Sequence, residues 1–192
     1  MPKPREDRRV THTKAVLKKS LLELLLEKPI TRITVTDVCR RADINRGTFY
    51  AHYVDPEDLL RQIESNMKEA LTQALALFGN EEPEYVLPAV CNVLTSDKEL
   101  CLVLFGDYGD KDFLHELVDM VRDSAIEYWR SVTPELSQSQ LELLFTFCAN
   151  GLAALIRDWA RSSSRQVPEE LGQMAARLIR ACVECIQRNA AL

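Results

Sequence analysis

No apolar run in this chain approaches the roughly 20 residues that a membrane-spanning helix needs. The opening residues, Met1-Pro-Lys-Pro-Arg-Glu-Asp-Arg-Arg, are followed by no signal-peptide core. A cytoplasmic protein without a membrane partner is therefore expected. Enzyme signatures are missing too: there is no nucleophile elbow, no phosphate-cradling glycine loop and no His-Glu-x-x-His pair. The chain is not read as an enzyme. The histidines His12, His52 and His115 are too dispersed for a ligand set, and Cys182-x-x-Cys185 has no second Cys/His pair at zinc-finger spacing. No metal and no cofactor are expected. The carboxylate clusters Glu81-Glu82-Glu84 and Asp107/Asp110/Asp112 read as solvated turns. Cys39, Cys91, Cys101, Cys148, Cys182 and Cys185 are scattered through helix-like segments, which favours small reduced hydrophobes over a disulfide framework.

What is present is a marked asymmetry of charge. The whole chain is acidic, with a formal net charge of −5. Residues 1–62 nevertheless carry 13 Lys+Arg against 9 Asp+Glu, while residues 63–192 carry 11 against 20. The balances of +4 and −9 sum to the total. Such a division places a polyanion at one end and solubility at the other. With 192 residues, one or two domains can each bury a core.

Apolar spacing is helical nearly throughout, and no strand pair, internal repeat or low-complexity tract interrupts it. Leu17, Leu21, Leu24 and Leu25 line a first helix that ends at Lys28-Pro29. A short second helix starts after Thr34, with Asp37 completing a variant capping box, and Asn45 caps a third. Asp55-Pro56-Glu57-Asp58 opens a fourth, striped by Leu60, Ile63, Met67, Leu71, Ala74 and Phe78. Helices follow from about Pro83 to Thr95 and Asp97 to Phe105, and then one carrying Leu114, Leu117, Val118, Val121, Ala125 and Trp129. Ser137 with Gln140 caps the next, and Leu171 to Ile186 marks the last. The expected fold is all-α, about nine helices.

The segment from Ile33 to Leu60 is the most informative. Two helices flank Asp43-Ile44 and are too short to survive alone in water, so they must pack. Val35, Val38, Ala42, Ile44, Phe49 and Tyr53 are the residues to do so. The outward face then shows Arg46, Gly47, Thr48, Tyr50 and His52. Arg46 can donate two bonds to a guanine edge; Thr48 can meet phosphate or a thymine methyl; Tyr50 and His52 can reach phosphate. Gly47 lets the backbone approach closely, against a helix penalty of about 1 kcal/mol. The bland alternative is a polar face on a small bundle, which does not account for Gly-Thr-Phe-Tyr beside two well-capped neighbours.

Here the chain resembles the TetR family of transcriptional regulators. The resemblance covers Lys14 to Leu60 closely: a first helix, Ile-Thr-Val-x-Asp-Val, Asn-Arg-Gly-Thr-Phe-Tyr-x-His-Tyr, and an acidic Leu-Leu start to the fourth helix. Arg-x-Thr-Phe-Tyr, with Gly106-Asp107-x-Gly109-Asp110-x-x-Phe113 downstream, is similar to the subgroup containing dihydroxyacetone-kinase regulators. The resemblance implies a helix-turn-helix DNA-binding domain at 1–55 with a basic arm at 1–12, and an effector-binding and dimerisation domain at 56–192. It implies DNA roles for Thr34, Thr36, Arg46, Gly47, Thr48, Tyr50 and His52. In one place the chain departs from the pattern. The family commonly has a phosphate-contacting Lys where Pro56 stands, so that anchor is missing, with Arg61 or the basic arm (Lys3, Arg5, Arg8, Arg9, Lys14) as substitutes.

The acidic part informs on architecture more than on chemistry. The helix from Ser137 to Arg161 is apolar on two sides, the second bearing Leu143, Phe147, Gly151 and Ala154. Such a helix needs cover on two sides, its own core and a partner. In the family the last two helices of each subunit form a four-helix bundle with a mate, which adds Leu178, Cys182 and Cys185 to the expected homodimer seam. Two reading heads about 34–36 Å apart would then read a pseudo-palindrome on double-stranded DNA. An effector pocket is implied among the middle helices, with Leu75, Phe78, Leu104, Phe105, Tyr108, Phe113, Trp129, Phe147 and Trp159 as candidate liners; ordinary core is the alternative for each. With few charges among them, an apolar or aromatic small molecule is expected. The main alternative in function is a co-regulator of the same shape that acts through a protein or metabolite with weak DNA binding.

Overall fold

The computed structural model describes residues 8–76, 83–162 and 168–190. Among them are nine α-helices and no strand: α1 (Arg8–Leu25), α2 (Val35–Ala42), α3 (Arg46–Tyr50), α4 (Pro56–Leu75), α5 (Pro83–Thr95), α6 (Lys98–Leu104), α7 (Lys111–Val132), α8 (Gln138–Arg161) and α9 (Pro168–Ala190). A single 3-10 turn (Ile30–Arg32), which the sequence pattern leaves as a loop, joins α1 to α2. The all-α expectation holds. Phe78 of the expected stripe lies outside the described residues, as do Lys3 and Arg5 of the arm.

By contact density the chain divides into two units. The first comprises residues up to Asn66 with Leu102–Gly109. Its core forms because Leu17, Leu21, Leu24 and Leu25 recur at helical spacing along α1, with Leu22 beside them, and all five are buried. Val38, Cys39 and Ala42 of α2 meet that stripe, and Phe49 of α3 is completely buried. The leucines, Val38 and Phe49 each contribute about 1.5–3 kcal/mol on leaving water, which is what holds helices of eight and five residues in place.

The second unit holds Met67–Cys101 and Asp110–Leu192. Trp129 and Phe145 lie 6.5 Å apart at its centre, in a cluster with Ala125, Ile126, Leu136, Leu141, Leu144 and Cys148. Ile179, Cys182, Val183 and Ile186 of α9 close that cluster from the side. α5 crosses α9 where Pro88 interrupts the helix interior, opposite Gly172. A Cβ on Gly172 would stand 2.7 Å from the Pro88 Cα, so only glycine permits this approach. α8 is capped by Ser137 and Gln140 as the sequence predicts, the Ser137 N–H donating to Gln140 Oε1 at 2.8 Å.

One expectation is corrected. Gln138–Arg161 is, by length and composition, apolar enough to cross a bilayer, with a mean hydropathy of 1.4 over 18 residues. The reason is its two apolar sides. Leu141, Leu144, Phe145, Cys148 and Ile156 serve the core, while Leu143 and Phe147 stay exposed.

Candidate nucleic-acid interface

Two short helices and their caps build the candidate interface. Thr34 opens α2: its Oγ1 accepts from the Asp37 N–H at 3.2 Å, and its own N–H donates to Asp37 Oδ2 at 3.1 Å. Asp43 closes α2 in the left-handed conformation at φ 54°, a geometry Asp tolerates, and its N–H donates to the Cys39 carbonyl. That reversal aims the chain into α3. There Asn45 Oδ1 accepts from the Thr48 N–H at 2.8 Å and from the Thr48 hydroxyl at 3.1 Å. A Cβ on Gly47 would press on the same Asn45 Oδ1 at 3.2 Å. Glycine there thus keeps the cap relaxed as well as the surface open.

Asp37 is a hub the sequence did not reveal. Besides the cap, its carboxylate accepts from Lys28 Nζ at 3.0 Å and Arg40 Nη2 at 2.6 Å. The Lys28 bond, followed by the Thr34 N–H and hydroxyl bonds, lowers its pKa from 3.8 to about 2. Arg41 ties the other end of α2 to Glu27, just beyond α1, at 2.9 Å and to Glu23 of α1 at 3.4 Å, which pushes its guanidinium up. The i,i+3 spacing of Asp37 and Arg40 was visible in the chain, whereas Lys28 reaches α2 only through the turn.

The structure brings most of the predicted DNA residues to the surface of this assembly. Thr34, Thr36, Arg46, Gly47 and Tyr50 are exposed, Tyr50 by 58%, while Thr48 and His52 are half-buried. Phe49 and Tyr53 are core, 5.8 Å apart, and Tyr50 stands edge-on to Phe49 at the same distance. Arg46 Nη2 donates to Thr36 Oγ1 at 2.7 Å, linking α3 to α2. Burial pushes the Cys39 thiol up, and the nearby Arg46 charge opposes that. At the start of α4, the Asp58 N–H donates to Asp55 Oδ1 at 2.7 Å and the Val54 N–H to Asp58 Oδ2 at 3.0 Å. Pro56 is buried, so this helix end offers carboxylates and occupied amides. Arg61, the proposed substitute anchor, sits 3.6 Å from Asp58.

The remaining predicted residues fall in several places. Leu104, Phe105 and Tyr108 belong to the first unit; Leu75, Phe113, Trp129, Phe147 and Trp159 to the second. Leu75, Leu104, Phe113 and Trp129 are buried, Phe105 and Trp159 half-buried, and Tyr108 exposed. Lys98 Nζ lies 5.7 Å over the Trp159 ring. Phe147 is 70% exposed and points away from the core, so as a pocket liner it is misplaced; its i+4 register from Leu143 puts it on the outer stripe. A groove of about 270 Å³ between α7 and α8 is lined by Arg122, Asp123, Ile126, Glu127, Arg130, Gln138 and Glu142, none of them a predicted liner. Leu143, Gly151, Leu178 and Cys185 are exposed, with Ala154 and Cys182 half-buried. Among the described residues no group of His, Cys, Asp or Glu could hold a metal.

Residues 19–63 match the family model described as bacterial regulatory proteins, tetR family. Residues 81–181, more than half the chain, match the one described as transcriptional regulator C-terminal region. The uncharacterized HTH-type transcriptional regulator YxbF of Bacillus subtilis is 45% identical over 56 residues, 29% of this chain. The chain matches only 15% of that relative's length. The dihydroxyacetone kinase operon activator DhaS is 19% identical with a TM-score of 0.53, over 90% of this chain and 97% of that one. FadR from Bacillus subtilis, solved with stearoyl-CoA, is 12% identical with a TM-score of 0.63, over 86% and 96%. These two structures share the fold. Together with the capped helix-turn-helix, the two family matches establish that the chain belongs to the TetR family of bacterial transcriptional regulators.

Proposed function

We propose that this regulator is a ligand-responsive repressor: a homodimer that binds a pseudo-palindromic operator in the cytoplasm and is released by a small, largely apolar effector. The carrying observation is α3 and the turn after it, where Arg46, Gly47 and Tyr50 are exposed, with half-buried Thr48 and His52 beside them, over a fully buried Phe49. We assign DNA reading to residues 1–55, and effector binding and dimerisation to 56–192. A dimer is supported by the outer stripes on α8 (Leu143, Phe147, Gly151) and α9 (Leu178, Cys185), which the chain itself leaves uncovered. The apolar character of Leu75, Phe113 and Trp129 in the second unit supports the effector class, as does the stearoyl-CoA named with FadR. The likeness to DhaS supports the narrower subgroup. Effector binding must favour one separation of the two reading heads to release DNA.

A second reading, a co-regulator with little DNA affinity of its own, is favoured by the carboxylate-rich start of α4 at Asp55, Glu57 and Asp58. Genomic DNA selection with purified protein, followed by a duplex mobility shift, decides between them. Salt-dependent binding to an enriched site, lost in Arg46→Ala and Tyr50→Ala while helical circular dichroism is unchanged, supports the repressor. Absence of any enriched site overturns it.

A further inference from the structure

We propose that Thr36 is a specificity-determining positioning residue: it acts on DNA through Arg46, by holding the guanidinium in the orientation that reads a base, rather than by a contact of its own. This rests on the reading of α3 as the DNA-reading helix.

The geometry sets the two residues apart from their neighbours. An exposed arginine has four rotatable bonds and ordinarily samples many conformers. Arg46 is exposed, yet its Nη2 donates to Thr36 Oγ1 at 2.7 Å. The partner matters. Arg40, Arg41 and Arg122 are all neutralised by carboxylates, whereas Arg46 forms no ion pair among the described residues and bonds a hydroxyl. A hydroxyl anchors one N–H and leaves the positive charge intact. Of the five N–H donors of a guanidinium, four remain, enough for a bidentate fork on guanine.

Thr36 is also well placed to serve as an anchor. It is the second residue of α2, inside the turn fixed by the Thr34–Asp37 capping box. Its β-branched side chain is restricted at χ1. α2 in turn is tied to α1 by Arg41 to Glu23, and to the turn after α1 by Lys28–Asp37 and Arg41–Glu27. Support therefore runs from α1 and the turn after it through α2 to Thr36 and on to Arg46. Asp37 stands next to Thr36 but is occupied by Lys28, Arg40 and Thr34, so it does not draw Arg46 away from DNA.

The test uses the full-length protein and the site enriched by wild type in genomic selection. Affinities are measured for that site and for duplexes with each base pair substituted, at several salt concentrations, for wild type, Arg46→Ala, Thr36→Val and Thr36→Ser. Wild type should lose roughly 5- to 150-fold at the base pair read by Arg46, and Arg46→Ala should flatten that preference. Thr36→Val should flatten most of it too, with an unchanged salt slope, since no phosphate contact is removed. Thr36→Ser, which keeps the hydroxyl, should restore it. The proposal is overturned if Thr36→Val discriminates like wild type while Arg46→Ala does not. It is equally overturned if Thr36→Val lowers the salt slope by about one contact, which would make Thr36 a phosphate ligand. Failure of wild type to bind any duplex instead overturns the DNA-reading function beneath it.

Discussion

Replacing Asp37 by Asn keeps the size of the side chain and removes its charge, leaving Lys28 and Arg40 without their carboxylate. The lowering of its pKa from 3.8 to about 2 is a stability statement. At about 1.36 kcal/mol per unit it would amount to roughly 2.5 kcal/mol. Asp37 keeps 18% of its side chain in solvent and Lys28 31%, so screening brings the expected loss to about 1 kcal/mol near neutral pH. Asp37→Ala, which also breaks the capping box, should lose about 1 kcal/mol more. The sign with pH follows from the direction of the shift. The folded carboxyl holds its charge to lower pH than the unfolded one, so the stabilisation is complete above the unfolded value of 3.8. It is lost as pH falls towards about 2. Urea unfolding followed by helical circular dichroism, for wild type and Asp37→Asn, should show a gap at neutral pH that closes on acidification across that window. The Asp37 carboxyl chemical shift gives its pKa directly. Titration at an ordinary carboxylate value, or a gap that persists unchanged in acid, would refute the reasoning.

Gly172→Ala forces a Cβ to 2.7 Å from the Pro88 Cα; thermal unfolding should show a loss of about 1–3 kcal/mol, and an unchanged midpoint would show that α5 and α9 can separate freely. Gly151→Ala meets nothing within 4 Å in the single chain, so it should strengthen the isolated helix by about 1 kcal/mol yet weaken self-association if α8 forms the dimer seam. Phe147→Glu should shift the mass seen by analytical ultracentrifugation towards monomer, and an unaltered mass would remove Phe147 from the interface. Burial pushes the Cys91, Cys101 and Cys148 thiols up to about 12. A maleimide should therefore label these three only after denaturant is added. Rapid labelling of all six cysteines would contradict the packing described.

The features legible from residue order alone were local. Helix caps act over three residues, so Thr34 with Asp37, Asn45 as a cap and Ser137 with Gln140 could be read directly, and all three caps form. Leucines at 17, 21, 24 and 25 share a face by helix geometry alone, and they are buried together. The polar face of α3 followed from the same periodicity once Phe49 was assigned to the core. Contacts between elements were not legible, because they depend on crossing geometry that no short spacing encodes. Lys28 reaches Asp37 across the 3-10 turn, Arg46 reaches Thr36 across the left-handed Asp43, and Pro88 meets Gly172 from another helix. The two apolar sides of α8 were visible in the chain, but which is covered was decided by packing. Leu144, Phe145 and Cys148 close around Trp129, leaving Leu143 and Phe147 one residue out of phase and in solvent. The polar face of α3 was thus written in the sequence, while the Thr36 hydroxyl bonded to its arginine came from the tertiary structure, since only folding brings residues ten apart on two helices within 2.7 Å.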